Sequence, residues 1–270
     1  YTLRTLFPYT TLFRSVRIGG EPMAKIMLIL FLIGHVLGDF YLQSSELALN
    51  KDESFKKLLK HSVIYLFSMM FVIIPVFSFQ LLKWAFIISI AHFTVELIKF
   101  FIKNKITIND KIDVLAYFVD QIIHILIIMV TTLTIYLLSE PISYIYCIQS
   151  ILNRLPADVL SIFSWILVLL IIIKPVSITI KKVLYRYKPT MNEDEVGGHP
   201  NAGALIGILE RCIILLLLSV EQYSAIGFVL TAKSIARYNK IADDPKFSEY
   251  YLLGTLLSTM LVIVAYLLVF

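Results

Sequence analysis

The sequence predicts an all-α fold, a polytopic bundle of about eight transmembrane helices, and three observations carry that prediction. Of the 270 residues 59% are hydrophobic and only 16% charged, with a mean hydropathy of +0.83. No soluble domain of this length hides so much apolar surface. Apolar runs of about 20 residues, the length that crosses a bilayer as a helix, recur along the chain. Lysines and arginines gather in alternate loops, as on the cytoplasmic side of membrane proteins.

The stretch before Met23 stands apart. Thr5–Ser15 reads TLFPYTTLFRS, which resembles translated sequencing-adapter read-through, so residues 1–22 are expected to be an artefactual leader and the natural protein to start at Met23. Without Arg4, Arg14, Arg17 and Glu21 the formal charge falls from +5 to +3. That basic balance is too modest to imply a nucleic-acid partner; the partner implied is the lipid bilayer. Cys147 and Cys212 are too few for a disulfide framework and match no metal spacing.

The expected spans are Ala24–Gln43, His61–Phe79, Leu81–Ile102, Val114–Leu138, Val159–Ile180, Ala202–Val220, Tyr223–Tyr238 and Tyr250–Phe270. They divide into a four-helix domain over residues 23–140 and a second over 141–270. Pro75 and Pro175 fall inside spans and are expected to kink them. Ile142–Leu155 is apolar but too short to cross, and reads as a surface-lying segment. Lys51, Lys56, Lys57 and Lys60 follow span one, and Lys103, Lys105 and Lys111 follow span three. Lys181, Lys182, Arg186 and Lys188 follow span five, and Lys240 and Lys246 follow span seven. Beside the first four spans, the opposite side holds little beyond Lys25 and Lys83. The basic side is read as cytoplasmic, with both termini outside.

Three spans share a polar pattern that lipid disfavours. Span one carries His35 and Asp39 (GHVLGDFYLQ, 34–43), span three His92 and Glu96, and span four Asp120 and His124. Residues four apart project from one helix face. Span two opens on His61. At about 1.5 Å per residue, Asp39 lies roughly 6 Å and His35 roughly 12 Å inside the basic end of the membrane. The acids of spans three and four come to about 10 Å and their histidines to about 16 Å. Odd spans run inward and even spans outward, yet all of these residues land in the cytoplasmic half. They are expected to converge.

Mixed nitrogen and oxygen donors suit a divalent zinc, manganese or iron ion. The expected metal ligands are His35, Asp39, His61, His92, Asp120 and His124. Glu96 is the candidate general base or a further ligand. Gln43 and Gln121 are candidates to orient imidazoles. An interhelical hydrogen-bond network or a proton relay would use the same residues. Lys99, one turn beyond Glu96, is expected to snorkel to the surface. GHVLGD and AHFTVE both read H-x-x-x-acid, a weak trace of a duplicated hairpin.

The C-terminal half differs chemically. Glu210 and Lys233 reach similar depth and read as a buried ion pair. Alternatively Lys233, Ser234 and Arg237 meet an anionic headgroup or phosphate at the cytoplasmic surface. In the acidic loop NEDEVGGHPNAG (192–203), His199 reads as a solvated residue.

Through HVLGDFYLQ, the histidine opening span two, HFTVELIK, DQIIH, GALIGILER, AIGFVLTAKSIAR and EYYLLGTLLS, the chain after Met23 resembles a bacterial membrane family known as domain of unknown function 3307. The resemblance implies a multi-pass bacterial inner-membrane protein without an established activity. More distantly, the intramembrane His/Asp pattern is similar to membrane-bound metal-dependent hydrolases, although the chain lacks the HExxH motif of zinc proteases. Two function classes follow. One is a metal-dependent hydrolase open to the cytoplasm, acting on a lipid or a phosphorylated small molecule. The other is a proton- or cation-coupled transporter or channel, against which stands the lack of an inverted repeat or a midplane cluster. A non-catalytic membrane subunit is the third alternative.

Overall fold

Away from water a backbone must satisfy its own hydrogen bonds, and helices do so within one segment. The computed structural model describes residues 21–51, 54–103, 110–138, 150, 158–188 and 202–270, and among these there is no strand. The helices are α1 (Glu21–Val36), continued by a π turn (Leu37–Tyr41), α2 (Ser45–Asn50), α3 (Phe55–Val72), α4 (Phe79–Lys103) and α5 (Asp110–Leu137). They continue as α6 (Val159–Ile173), α7 (Pro175–Val183), α8 (Ala202–Ser219), α9 (Tyr223–Ile235), α10 (Tyr238–Asp243) and α11 (Pro245–Val269). The leader up to residue 20, the segment expected on the surface after Pro141 and the loop holding His199 lie outside the described residues.

Among the described residues six stretches are long and apolar enough to cross a membrane: Met23–Tyr41, Phe79–Lys103, Ile112–Leu137, Val159–Val183, Ala202–Ser219 and Pro245–Val269. The two further expected spans depart from the sequence reading. Helix α3 starts at Phe55, not His61, and so takes in Lys56, Lys57 and Lys60. Pro75 does not kink it but lies beyond its end, in a 3-10 turn over Ile74–Val76. Helix α9 has only 13 residues and stops at Ile235. Pro175 does interrupt its span, separating α6 from α7.

The chain separates into two units, 1–167 and 168–270. In the first, α3 packs on α1 and α4, and α5 packs on the same two helices. Pairs such as Ser68 with Gly34 and His61 with Asp39 make α3 antiparallel to α1. Gln121 reaching Asp39 while His124 lies against His35 makes α5 antiparallel to α1 as well. The result is an up-down-up-down bundle. Its most enclosed stave is α1, whose apolar window is 67% buried, against 28% for α4 and 22% for α5. The outward faces of α4 and α5 carry Phe86, Ile90, Ile98, Ile122, Leu126 and Leu133, all exposed, as a lipid-facing surface requires.

Two glycines let α3 approach α1. A Cβ on Gly34 would stand 2.8 Å from Val72 Cγ2 and 2.9 Å from Met69 Sδ, and one on Gly38 would stand 2.8 Å from Tyr65 Cδ2. Membrane helices associate through such small residues because lipid supplies no hydrophobic drive between them. The Ser68 hydroxyl donates to the Gly34 carbonyl at 2.7 Å across this contact.

In the second unit α11 packs on α7 and α8, and α9 packs on α8. Buried Arg211 on α8 donates Nε–H to the carbonyl of Ile172 at 2.6 Å and bonds Ser177 Oγ. Ile172 lies where Pro175 breaks the helix, so the guanidinium takes up a carbonyl that the interrupted ladder leaves open.

Candidate metal centre

Helices α1, α3, α4 and α5 deliver polar side chains to one buried locus. Helix α1 supplies His35 in its last turn and Asp39 from the π turn, which is closed by Leu42 N–H donating to Leu37 O at 2.8 Å. A π turn inserts one residue into the helical ladder and re-aims the side chains there, and such turns recur at functional sites. Helix α3 supplies His61, α4 supplies His92 and Glu96, and α5 supplies Asp120 and His124. All seven residues are buried, none more than 8% exposed.

Asp39 is the hub. The His92 ring donates Nε2–H to its Oδ1 at 3.0 Å, His61 Nε2 lies 3.4 Å from the same oxygen, and the Gln121 amide donates to Oδ2 at 3.3 Å. A carboxylate only accepts, so His92 carries its proton on Nε2 and turns the lone pair of Nδ1 outward. His35 is held at both nitrogens, 3.3 Å from Gln121 Oε1 and 3.3 Å from the Tyr65 hydroxyl. The His92 ring stacks on Tyr65 at 3.6 Å and on His124 at 4.2 Å between centroids.

Single donor atoms of His35, Asp39, His92 and His124 lie within 4.8 Å of one another, and so do those of His61, His92 and Glu96 and those of Glu96, Asp120 and His124. Several polar atoms of these residues find no hydrogen-bond partner among the described residues: Nδ1 of His61, Nδ1 of His92, both nitrogens of His124, and Glu96 Oε2. Leaving one buried polar atom unsatisfied costs about 1–3 kcal/mol. Imidazole nitrogen with carboxylate oxygen is the donor set of zinc, manganese and iron, and these groups could hold such an ion. The residues fit a divalent metal.

Sequence reasoning missed two members and misplaced a third. Lys51 reads as one more loop lysine, yet it is buried, donating to Glu96 Oε1 at 2.9 Å and lying 3.5 Å from His61 Nε2. Tyr65 carries no motif. Lys99 does not snorkel away; it turns inward, 2.7 Å from Glu96 Oε1 and 3.1 Å from Asp120 Oδ1. The signal for both lysines was present: three carboxylates buried in a membrane require counter-charges. Of the two candidate orienting amides, Gln121 bridges His35, Asp39 and Asp120. Gln43 lies just past the π turn, its Oε1 buried with no donor among the described residues.

In the second unit Lys233 is engaged by Glu210 and by the Thr255 hydroxyl, and its ammonium lies 5.2 Å from the Tyr251 ring centroid. Ser234 donates to its own helix at Leu230 O, and Arg237 is exposed. The pair with buried Glu210 is therefore formed, and Lys233 remains partly exposed.

No curated protein and no solved structure matches the chain. The stretch that builds the whole polar cluster, residues 27–152, matches the family model described as "Protein of unknown function (DUF3307)".

Proposed function

We propose that this membrane protein is a metal-dependent hydrolase of the bacterial inner membrane, with its site open to the cytoplasm. The observation that carries the reading is the set of five buried, unpartnered polar atoms on the residues of three overlapping ligand groups. His35, Asp39, His61, His92, Asp120 and His124 would hold one or two ions. A divalent ion, when bound, polarises a substrate oxygen and makes a nucleophile of water near neutral pH.

The chain's own groups do the rest. Asp39 fixes the His92 ring through Nε2–H and so keeps Nδ1 as a donor atom. Gln121 and Tyr65 orient His35 by contacts at both ring nitrogens, one of which it would exchange for the ion. Glu96 is the base: Lys51 and Lys99 occupy Oε1, and Oε2 accepts the proton of the attacking water. Access from the cytoplasm follows from charge. The cluster lies toward the end of the bundle where Lys56 and Lys60 are exposed and Lys103 closes α4. In the second unit, exposed Arg237 with Lys240 supplies charge for an anionic headgroup, with Ser234 beside it.

One observation favours a relay in a transporter instead. Lys51, Glu96, Lys99, Asp120, Gln121, Asp39 and His92 form an unbroken chain of polar contacts. Metal analysis of protein purified in mild detergent separates the two. The hydrolase reading expects near-stoichiometric zinc, manganese or iron, lost in His35→Ala and Asp120→Ala while the variants remain folded. Metal-free wild type that supports proton-coupled flux in vesicles would replace it with the relay.

A further inference from the structure

We propose that Lys51 and Lys99 form an anion subsite that takes the phosphate group of a phosphorylated substrate. The inference rests on the metal reading above and names its substrate class. Two ammonium groups converge on one oxygen of Glu96, at 2.9 and 2.7 Å, while its other oxygen is buried and unpartnered. Lys99 also reaches Asp120 Oδ1 at 3.1 Å, so the two lysines together serve two carboxylates.

Charge counting carries the argument further. With neutral imidazoles, Asp39, Glu96 and Asp120 against Lys51 and Lys99 leave a formal charge of −1. One divalent ion turns that to +1, and a low-dielectric interior tolerates net charge poorly. The loaded cluster therefore calls for an anion. Glu96 and Asp120, the partners of the two lysines, also belong with His124 to one ligand group. Asp120, drawn to an ion, shares its charge with it, which loosens its hold on Lys99.

The shape of the demand selects phosphate. Two lysines and one metal ion make three cationic centres, and a terminal phosphate offers three free oxygens where a carboxylate offers two. Lysine suits this as a point charge with three donors. Exposed Lys56 and Lys60 at the start of α3 give an incoming anion a positive approach. A lipid headgroup and a soluble phosphate ester share this chemistry.

Titration calorimetry on the full chain, manganese-loaded in neutral nanodiscs, tests the subsite with inorganic phosphate as probe and acetate as control anion. Metal content is measured on each sample. Phosphate should bind more tightly than acetate, and Lys51→Met or Lys99→Met should weaken it roughly tenfold or more with metal content unchanged. Lys99→Arg should recover most of the affinity, which a misfolded variant could not do. Nanodiscs doped with phosphatidic acid form the second arm. Competition by that lipid against phosphate assigns a headgroup, and its absence assigns a soluble ester. Stoichiometric metal with no phosphate binding, or binding indifferent to both lysines, overturns the subsite and leaves the metal reading standing. Lysine-dependent phosphate binding without metal does the reverse, and loss of both overturns both.

Discussion

At the scale of single residues, the cluster is organised by one carboxylate rather than by any histidine. Asp39 anchors His92, His61 and Gln121, so its loss strands several buried donors at once. Asp39→Ala is expected to destabilise the first unit by about 1–3 kcal/mol, measured as unfolding in mixed detergent micelles. Asp39→Asn, which keeps an acceptor oxygen, should cost less. The lysines give a sharper contrast. Lys51, its side chain 10% exposed, pairs with a fully buried Glu96, whereas Lys57 and Glu46 form a pair with side chains 38% and 80% exposed. Lys51→Met should cost about 1–3 kcal/mol, moderated because Lys99 still serves Glu96. Lys57→Met should lie within about 0.5 kcal/mol of wild type. Equal effects from the two would contradict the burial that separates them.

At the scale of elements, the close contact between α1 and α3 sets where His61 and Tyr65 meet Asp39 and His35. Gly38→Ala would force a methyl to 2.8 Å from Tyr65 Cδ2 and 3.3 Å from the Tyr65 Cα, and a backbone atom cannot step aside as a side chain can. Overpacking of this kind costs about 1–3 kcal/mol. Gly227 in α9 meets nothing within 4 Å, so Gly227→Ala should be neutral or stabilising by up to about 1 kcal/mol. Gly38→Ala should also lower metal content, because Tyr65 and His61 share the helix that is displaced. A glycine pair tolerated as alanine would mean that α1 and α3 are not in this register. The π turn was not legible in the sequence, since a regular helix places His35 and Asp39 on one face equally well. What selects the wider turn is the set of partners on α3, α4 and α5 that Asp39 must reach.

At the scale of the whole molecule, the loop charges predict which way the helices cross the membrane. In a cysteine-free background, a cysteine at Lys56 should resist membrane-impermeant reagents added to intact cells, and one at Lys83 should react. The opposite pattern would invert the topology and move the cluster to the outer leaflet. The sequence by itself determined the helical class, most of the long spans, and the His/Asp/Glu pairs that the fold brings together. Each is a consequence of periodicity, length and charge bias, which are local properties of the chain. It did not determine that α3 begins at Phe55, because the lysines of its first turn look like loop until Leu58 and His61 are seen to be buried beside them. Only the tertiary structure decided that Lys51 and Lys99 belong to the cluster. A lysine's long stem can reach water or a buried acid from the same backbone position, and the choice rests on carboxylates distant in sequence: Glu96 lies 45 residues from Lys51, and Asp120 lies 21 from Lys99.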